Sequence, residues 1–434
     1  MADLLGMSAR YIDEGAIPEG DTSPLDRRSR ELSEIADGVA VIEAFSHVLA
    51  FRTDEGLVLF DTSHEAHARP IIENMRKWTK DPVHSIAFTH GHIDHVGGAK
   101  AFVDEAADAG NPRPRFIAHE NVDARIDRYQ LTSGYNRIVN QRQFSRGRMG
   151  GAGREDRPFG PAEWVRPDTT FQNRLTVRVG DETVEMRHDR GETDDHLWAW
   201  LPKHRAICAG DFLIWAFPNA GNPQKAQRYP LEWAHALRQM QAMEPELLLP
   251  AHGLPIAGRE RIAGVLDSMA RALEGLVRDT LELMNQGARL NDIIHTVSAP
   301  ADLLEKPYLK PVYDEPEFVV RNIWRLYGGW YDGNPANLKP AKEQELADEL
   351  CRLAGGAAAL SFRARELSEA GKHRLACHLA EIAVQASPDA KAVHAARAKV
   401  YAARRDAERS LMARGIFNTV SAESAAKAER GEGS

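Results

Sequence analysis

The stretch Thr89-His90-Gly91-His92-Ile93-Asp94-His95-Val96-Gly97-Gly98 constrains this chain more than any other, because it sets four metal-binding side chains within six residues and ends on a glycine pair. The apolar run Ile86-Ala87-Phe88 ahead of it predicts a strand, and the residues from Val96 onward predict a helix, so these side chains belong on a strand-to-helix turn. In an extended segment His90 and His92 point the same way and can grip one ion, which leaves Asp94 and His95 for a second. Gly97 and Gly98 let the backbone pass close to such a site and start the helix without a Cβ clash. A polar loop that happens to be rich in histidine is the competing reading, and it weakens as further ligand candidates accumulate downstream.

A chain of 434 residues is too long for one ordinary core, so two domains are expected, and 43% hydrophobic residues suffice to bury both. The balance of 63 acidic against 55 basic residues gives a net charge of -8, which argues against a nucleic-acid partner. Cys208, Cys351 and Cys377 are too few and too scattered for a disulfide framework or a thiolate metal site, so a reducing compartment fits best. The N-terminus MADLLGMSARYIDEGAIPEG carries acidic residues early and has no apolar h-region, and no apolar run approaches membrane-spanning length. The expectation is a cytoplasmic protein with no membrane partner.

From Val39 to about Gly258 the runs VAVIEAF, HVLAFRT, GLVLFDT, HSIAFTH, RFIAHE, LTVRVG, ETVEMRH, HLWAWLP, AICAGD and LLLPAH predict strands, with helices after Glu65, after Val96 and around Leu231 to Met243. Beyond Arg259 strand-like runs vanish and alanine, leucine, arginine and glutamate recur at helical spacing, so an all-α domain is predicted. Within it, Tyr327 to Pro335 is poor in helix formers and is expected to be held by packing of its aromatics. Ala364 to Arg405 resembles a tetratricopeptide-type helix pair, with Gly371 between helices and Pro388 starting the next. One such pair cannot bury its own face and should pack on neighbouring helices or another subunit. The expected division is an N-terminal extension 1–38, an α/β domain 39–258 with an arginine-rich insert at about 121–165, a helical domain 259–420 and a disordered tail 421–434.

The ordered set His90-x-His92-x-Asp94-His95 resembles the His-x-His-x-Asp-His signature of the metallo-β-lactamase-fold hydrolases. The resemblance implies an αββα sandwich and a dinuclear site in which Asp211, in Cys208-Ala209-Gly210-Asp211, bridges the metals and His252, in Pro250-Ala251-His252-Gly253, is the last histidine. Most members carry Gly-His-Thr at the third ligand position, whereas this chain has Gly191-Glu192-Thr193-Asp194-Asp195-His196. A glutamate there is what the alkylsulfatase branch shows, which implies Glu192 as ligand; His196 and His188 are rivals that sit off the expected register. With two divalent ions, Asp94, Glu192 and Asp211 leave room for one bridging hydroxide in a nearly neutral cluster, with Asp94 and Asp211 nearest the chemistry. Two zinc ions per chain are expected, with manganese or iron as alternatives because a carboxylate makes the first site harder.

The insert carries Arg125, Arg128, Arg137, Arg142, Arg146, Arg148, Arg154 and Arg157. Read blandly it is a solvated loop; read sharply it is a lid that brings guanidinium groups, with Tyr129, Tyr135 and Asn136, to an anionic substrate. After Asp211, the run Phe212-Leu213-Ile214-Trp215-Ala216-Phe217 could hold an alkyl chain, with Asn219, Asn222 and Lys225 at a polar head. Alkylsulfatases carry an asparagine and then an arginine here; Asn219 matches the first, but Gln224 or Lys225 stands where the arginine would be. The run from Leu309 to Tyr313, Pro316-Glu317-Phe318, Arg321-Asn322 and Gly328 to Pro335 resembles the alkylsulfatase dimerisation domain, which implies a homodimer. The expected function is metal-dependent hydrolysis of an alkyl sulfate or similar anionic ester, with Asn219, Lys225, Tyr135, Asn136 and Arg142 as substrate-binding candidates. A carboxylic ester, lactone or thioester hydrolase and a non-catalytic binding protein are the alternatives.

Overall fold

Alternation along the first strands decides the architecture. In β2 (Val39–Ile42), β3 (Val48–Thr53) and β4 (Gly56–Phe60), both faces are apolar, so the sheet they build must be covered on both sides. Val39, Val41, Leu49, Phe51, Val58 and Phe60 enter one core shared with a second sheet. Ala40, Ile42, Ala50, Leu57 and Leu59 face the other way, against the helices Glu65–Trp78, Ala99–Asp108 and Asn121–Leu131. The computed structural model describes residues 3–144 and 159–429.

The first sheet has seven strands in the order β1 (Leu32–Ala36), β2, β3, β4, β5 (Val83–Ala87), β6 (Arg115–His119) and β7 (Thr169–Phe171). Pairing is antiparallel up to β4 and parallel beyond it, which the crossover helices Glu65–Trp78 and Ala99–Asp108 make possible. The second sheet runs β13 (Ile256–Ala257), β12 (Leu247–Pro250), β11 (Ala206–Gly210), β10 (Leu197–Leu201), β9 (Glu182–His188) and β8 (Arg174–Val179). Its one parallel pair, β11 with β12, is joined by the helix Pro230–Ala242. This is the expected αββα sandwich, and each run read as a strand contains one.

The N-terminal stretch is not a mere extension: the helix Leu4–Asp13 buries Leu4 and Tyr11 in the inter-sheet core, and β1 pairs with β2. Sequence texture changes at Arg259, but the compact units part at Gly329/Trp330. The physical reason is burial: the helix Arg259–Asn285 places Ile262, Leu266, Met269, Leu273 and Leu276 in the same core as β11 and β12. A change from strands to helices marks a change of layer, not a new core.

The second unit comprises residues 135–144 and 330–429 among those described. Its helices Glu343–Ala354, Ala357–Glu369, His373–Ala386, Lys391–Asp406 and Leu411–Glu429 share small cores rich in alanine, including Ala364, Ala376, Ala380 and Ala383. Gly371, at φ 74, turns the chain between two of them as expected. Two expectations differ from what is found. Trp330 is 70% exposed, so packing of that aromatic does not hold the loop, and residues 421–429 continue a helix that buries Ser424 instead of fraying. Among the described residues no helix is long and apolar enough to cross a membrane.

Candidate metal centre

The site stands where strands of both sheets end. β5 runs into Thr89, His90 and His92, and the one-turn helix Ile93–Val96 carries Asp94 and His95. Gly98 permits this turn: its amide donates to the Ser63 carbonyl at 2.9 Å, and a Cβ there would stand 2.2 Å from the Thr62 carbonyl oxygen. β11 ends at Gly210, whose φ of 53 turns the chain and aims Asp211 at the same place. β12 delivers His252 just beyond its end, and the loop after β9 delivers Glu192.

Two groups of potential ligands result, His90, His92, Glu192 and Asp211 in one and Asp94, His95 and His252 in the other, with the ligand atoms of each group within 4.8 Å of one another. The seven residues expected as ligands, His90, His92, Asp94, His95, Glu192, Asp211 and His252, are brought together. Asp211 stands between the groups: Oδ2 lies 3.9 Å from His90 Nε2 and 3.5 Å from His95 Nε2, while Oδ1 lies 3.6 Å from His252 Nε2. Asp94 Oδ2 is 3.3 Å from His252 Nε2, and His92 Nδ1 is 3.7 Å from Glu192 Oε1.

The residues present fit divalent cations. His95 Nε2 and Asp211 Oδ1 are buried polar atoms with no hydrogen-bond partner among the described residues, and both face the cluster. Burial, with His95, His92 and His196 nearby, holds the His90 imidazole well below its ordinary value, so it presents a neutral ring nitrogen. Burial opposes ionisation of Asp211, but His252 and His95 beside it hold its carboxyl below the usual carboxylate range. Burial pushes the Glu192 carboxyl up to about 8 against the pull of the Arg228 guanidinium. Two buried carboxylates, Glu192 and Asp211, and the partly exposed Asp94 stand among imidazoles, an oxygen and nitrogen donor set of the kind divalent cations take.

Supporting contacts hold the candidate ligands. His95 Nδ1 meets Asp61 Oδ2 at 2.7 Å, and Asp61 in turn accepts from the Thr89 amide at 2.7 Å and the Thr89 hydroxyl at 2.8 Å. This orients the ring so that Nε2 faces the cluster. Asp195 accepts from the Gly91 amide at 2.9 Å and from Arg125 Nε at 3.0 Å. Asp61, Ser63, Trp215 and Asn222 take positive φ values of 63, 60, 54 and 24 around this site, a concentration of backbone strain expected where geometry is imposed.

The rival histidines have other partners. His196 Nε2 accepts the Asp211 amide at 3.2 Å and its ring stacks on Phe212 at 4.1 Å, so it supports the turn that aims Asp211. His188 stacks on His119 at 3.6 Å and contacts the His196 carbonyl oxygen.

Of the substrate-side candidates, Asn219 is buried and donates through Nδ2 to Glu192 Oε1. Lys225 is near the cluster: burial and Arg228 push its amine down to about 8, while Asp94 and Glu192 pull the other way. Tyr135, Asn136 and Arg142 fall in the second compact unit, where the Arg142 carbonyl accepts from Thr419 Oγ1. The first described part of the arginine-rich insert is helical, over Asn121–Leu131 and Ser133–Phe144, and its described end, residues 159–165, is irregular. Arg125 is engaged by Asp194 and Asp195, and Arg146, Arg148, Arg154 and Arg157 lie outside the described residues.

Sequence reasoning missed Arg228 and Asp314, and read Asn322 only as part of the resemblance to the dimerisation domain. Arg228 is 2% exposed and sits 3.1 Å from Glu192 Oε1; Asp314 accepts from the Gly221 and Asn222 amides at 2.6 and 3.1 Å. No local motif announces either, because the pairs are separated by 36 and about 90 positions.

Residues 42–252 match the family model of the metallo-beta-lactamase superfamily, and residues 289–427 match that of alkyl sulfatase dimerisation. A linear primary-alkylsulfatase from Pseudomonas sp. (strain ATCC 19151) is 27% identical over 80% of this chain and 68% of its own length. An (R)-specific secondary-alkylsulfatase from Pseudomonas sp. is 28% identical over 79% of this chain, which spans only 55% of that relative. The solved structure of the stereoselective inverting sec-alkylsulfatase Pisa1 from Pseudomonas sp. superposes with a TM-score of 0.78 at 23% identity, covering 92% of this chain and 66% of that one. The chain thus carries a metallo-beta-lactamase domain at residues 42–252 and an alkyl sulfatase dimerisation domain at residues 289–427, on a fold shared with the solved sec-alkylsulfatase.

Proposed function

We propose that this chain hydrolyses alkyl sulfates or similar anionic esters with the help of two zinc ions, one in each ligand group. The observation that carries the reading is the Asp211 carboxylate, which turns one oxygen toward His90 and His95 and the other toward His252. A metal pair, when bound, lowers the pKa of water toward neutrality and so supplies the nucleophile. Asp94 and Asp211 fix the acceptor side of that centre, and Asp61 and Thr89 keep His95 in register. Asn219 and Lys225 stand beside Glu192 where the charged head of an ester would lie, and Lys225 takes the role an arginine has in alkylsulfatases. The alkylsulfatase names of the relatives support the sulfate ester as substrate class.

The test is sulfate release from a panel of primary and secondary alkyl sulfates by metal-replete protein in heavy-oxygen water. Label in sulfate reports attack at sulfur, and label in the alcohol reports attack at carbon. No sulfate release, together with turnover of neutral acyl esters, lactones or thioesters, would overturn the sulfate reading in favour of the acyl one. The homodimer belongs to the same proposal: Leu346, Leu353, Phe362 and Leu375 are large apolar side chains 56%, 78%, 61% and 51% exposed in the second unit.

A further inference from the structure

Glu192 stands where most of the superfamily has a neutral imidazole, and the exchange creates two difficulties. Once ionised, as a metal ligand must be, it brings a third negative charge into a cluster that already holds Asp94 and Asp211. It also replaces a rigid ring by a carboxylate that can swing about its last torsion. Arg228 answers both. Its Nη1 lies 3.1 Å from Glu192 Oε1, and the same nitrogen donates to the backbone carbonyl of Glu192, so one atom clamps the two ends of the residue. The Asn219 amide is a second donor to Oε1.

Arg228 is itself held. The Asn322 side chain, on the helix Pro316–Gly328, donates to the Arg228 carbonyl at 2.9 Å and accepts from the Arg228 amide at 3.4 Å, which brackets the peptide on both sides. Gln227 also donates to Asn322 Oδ1, at 2.9 Å. The guanidinium is as buried as its partner, at 2% against 4% exposure, so neither charge is relieved by water. A buried pair of this kind penalises the loss of one member far more than the loss of both.

We propose that Arg228 is the positioning residue that makes a carboxylate serviceable in the first ligand group, with Asn322 as its anchor. The proposal rests on the metal-centre reading of the site and needs no particular substrate. Its signature is a reversal of sign. With glutamate at position 192, removing the guanidinium loosens the ligand; with histidine there, the guanidinium is an unpaired buried cation facing a metal ion.

The experiment is titration of metal-stripped protein with cobalt(II), reading the number of equivalents, their affinities and the visible absorption bands, without substrate. Arg228→Met should weaken one of the two equivalents about 10- to 100-fold, the usual cost of losing a partner of a ligand, and Arg228→Lys should recover part of that loss. In the Glu192→His background, adding Arg228→Met should tighten the affected equivalent. Wild-type binding by folded Arg228→Met would overturn the proposal, as would an equal loss in both backgrounds. An unchanged isotherm with a raised KM for an anionic ester would assign Arg228 to substrate and overturn it as well. Should Arg228→Met fail to fold, Asn322→Ala keeps every charge and should weaken the same equivalent by a smaller factor; an unchanged isotherm in folded Asn322→Ala and Arg228→Lys would be decisive against it. Wild-type protein that binds no metal would remove the underlying reading too, whereas absent sulfate release would not touch this result.

Discussion

Asp61 and Asp211 are both buried carboxylates beside His95, and their replacement separates holding a metal from orienting a ligand. Asp211→Asn removes the oxygen charge shared between the groups and should abolish tight binding of at least one equivalent, read as metal content after dialysis. Asp61→Asn leaves every direct donor in place and only slackens the His95 ring, so metal affinity should fall about 10- to 100-fold without loss of stoichiometry at saturating metal. Equal outcomes for the two variants would contradict the division of roles. His196 belongs with Asp61 in this comparison. Its imidazole was a plausible ligand by residue type, yet it accepts the Asp211 amide and stacks on Phe212, which no spacing rule could have indicated.

The loop from Phe212 to Tyr229 depends on elements far along the chain. Asp314 accepts from the Gly221, Asn222 and Glu315 amides, and burial pushes its carboxyl up to about 6 from the ordinary 3.8 despite those donors. The folded chain therefore keeps this proton at pH values where the unfolded chain has released it. The contribution of this group to stability is full below the unfolded value and is lost as pH rises through about 6. Asp314→Asn keeps an acceptor but has no proton to release, so its stability relative to the parent should rise between pH 4 and 6. Denaturant unfolding of metal-stripped protein checks the sign, and a difference that stays flat or falls over that interval would refute it. The strands inside the sandwich were legible because their apolar runs are long and buried on both faces. β1, β7 and β13 were not: β1 is half-exposed, and β7 and β13 hold three and two residues. The grouping of the candidate ligands was legible because they sit on one local motif or just past strand ends; the contacts of Arg228, Asn322 and Asp314 were not, because their meaning lies in partners across the fold.

At the scale of the molecule, the exposed leucines and Phe362 of the second unit predict self-association. Leu353→Glu combined with Phe362→Glu should shift a dimer toward monomer in sedimentation, while metal content stays at the parental level. A monomeric parent, or an unshifted dimer in the variant, would move the interface elsewhere. The domain limit expected at 258/259 follows secondary-structure type, and the compact units follow burial instead, at Gly329/Trp330. The dimerisation match, residues 289–427, thus begins inside the unit that carries the metal centre.

That overlap decides where the chain can be recombined with a relative. A chimaera joined at Arg259 would keep every candidate ligand from one parent but take Asp314 and Asn322 from the other, so the loop bearing Lys225 and Arg228 would meet foreign anchors. A crossover after Gly329 moves the anchors together with the loop they secure, and residues 135–144, which belong to the second unit, have to be exchanged along with residues 330–429 for the two parents' parts to prove interchangeable.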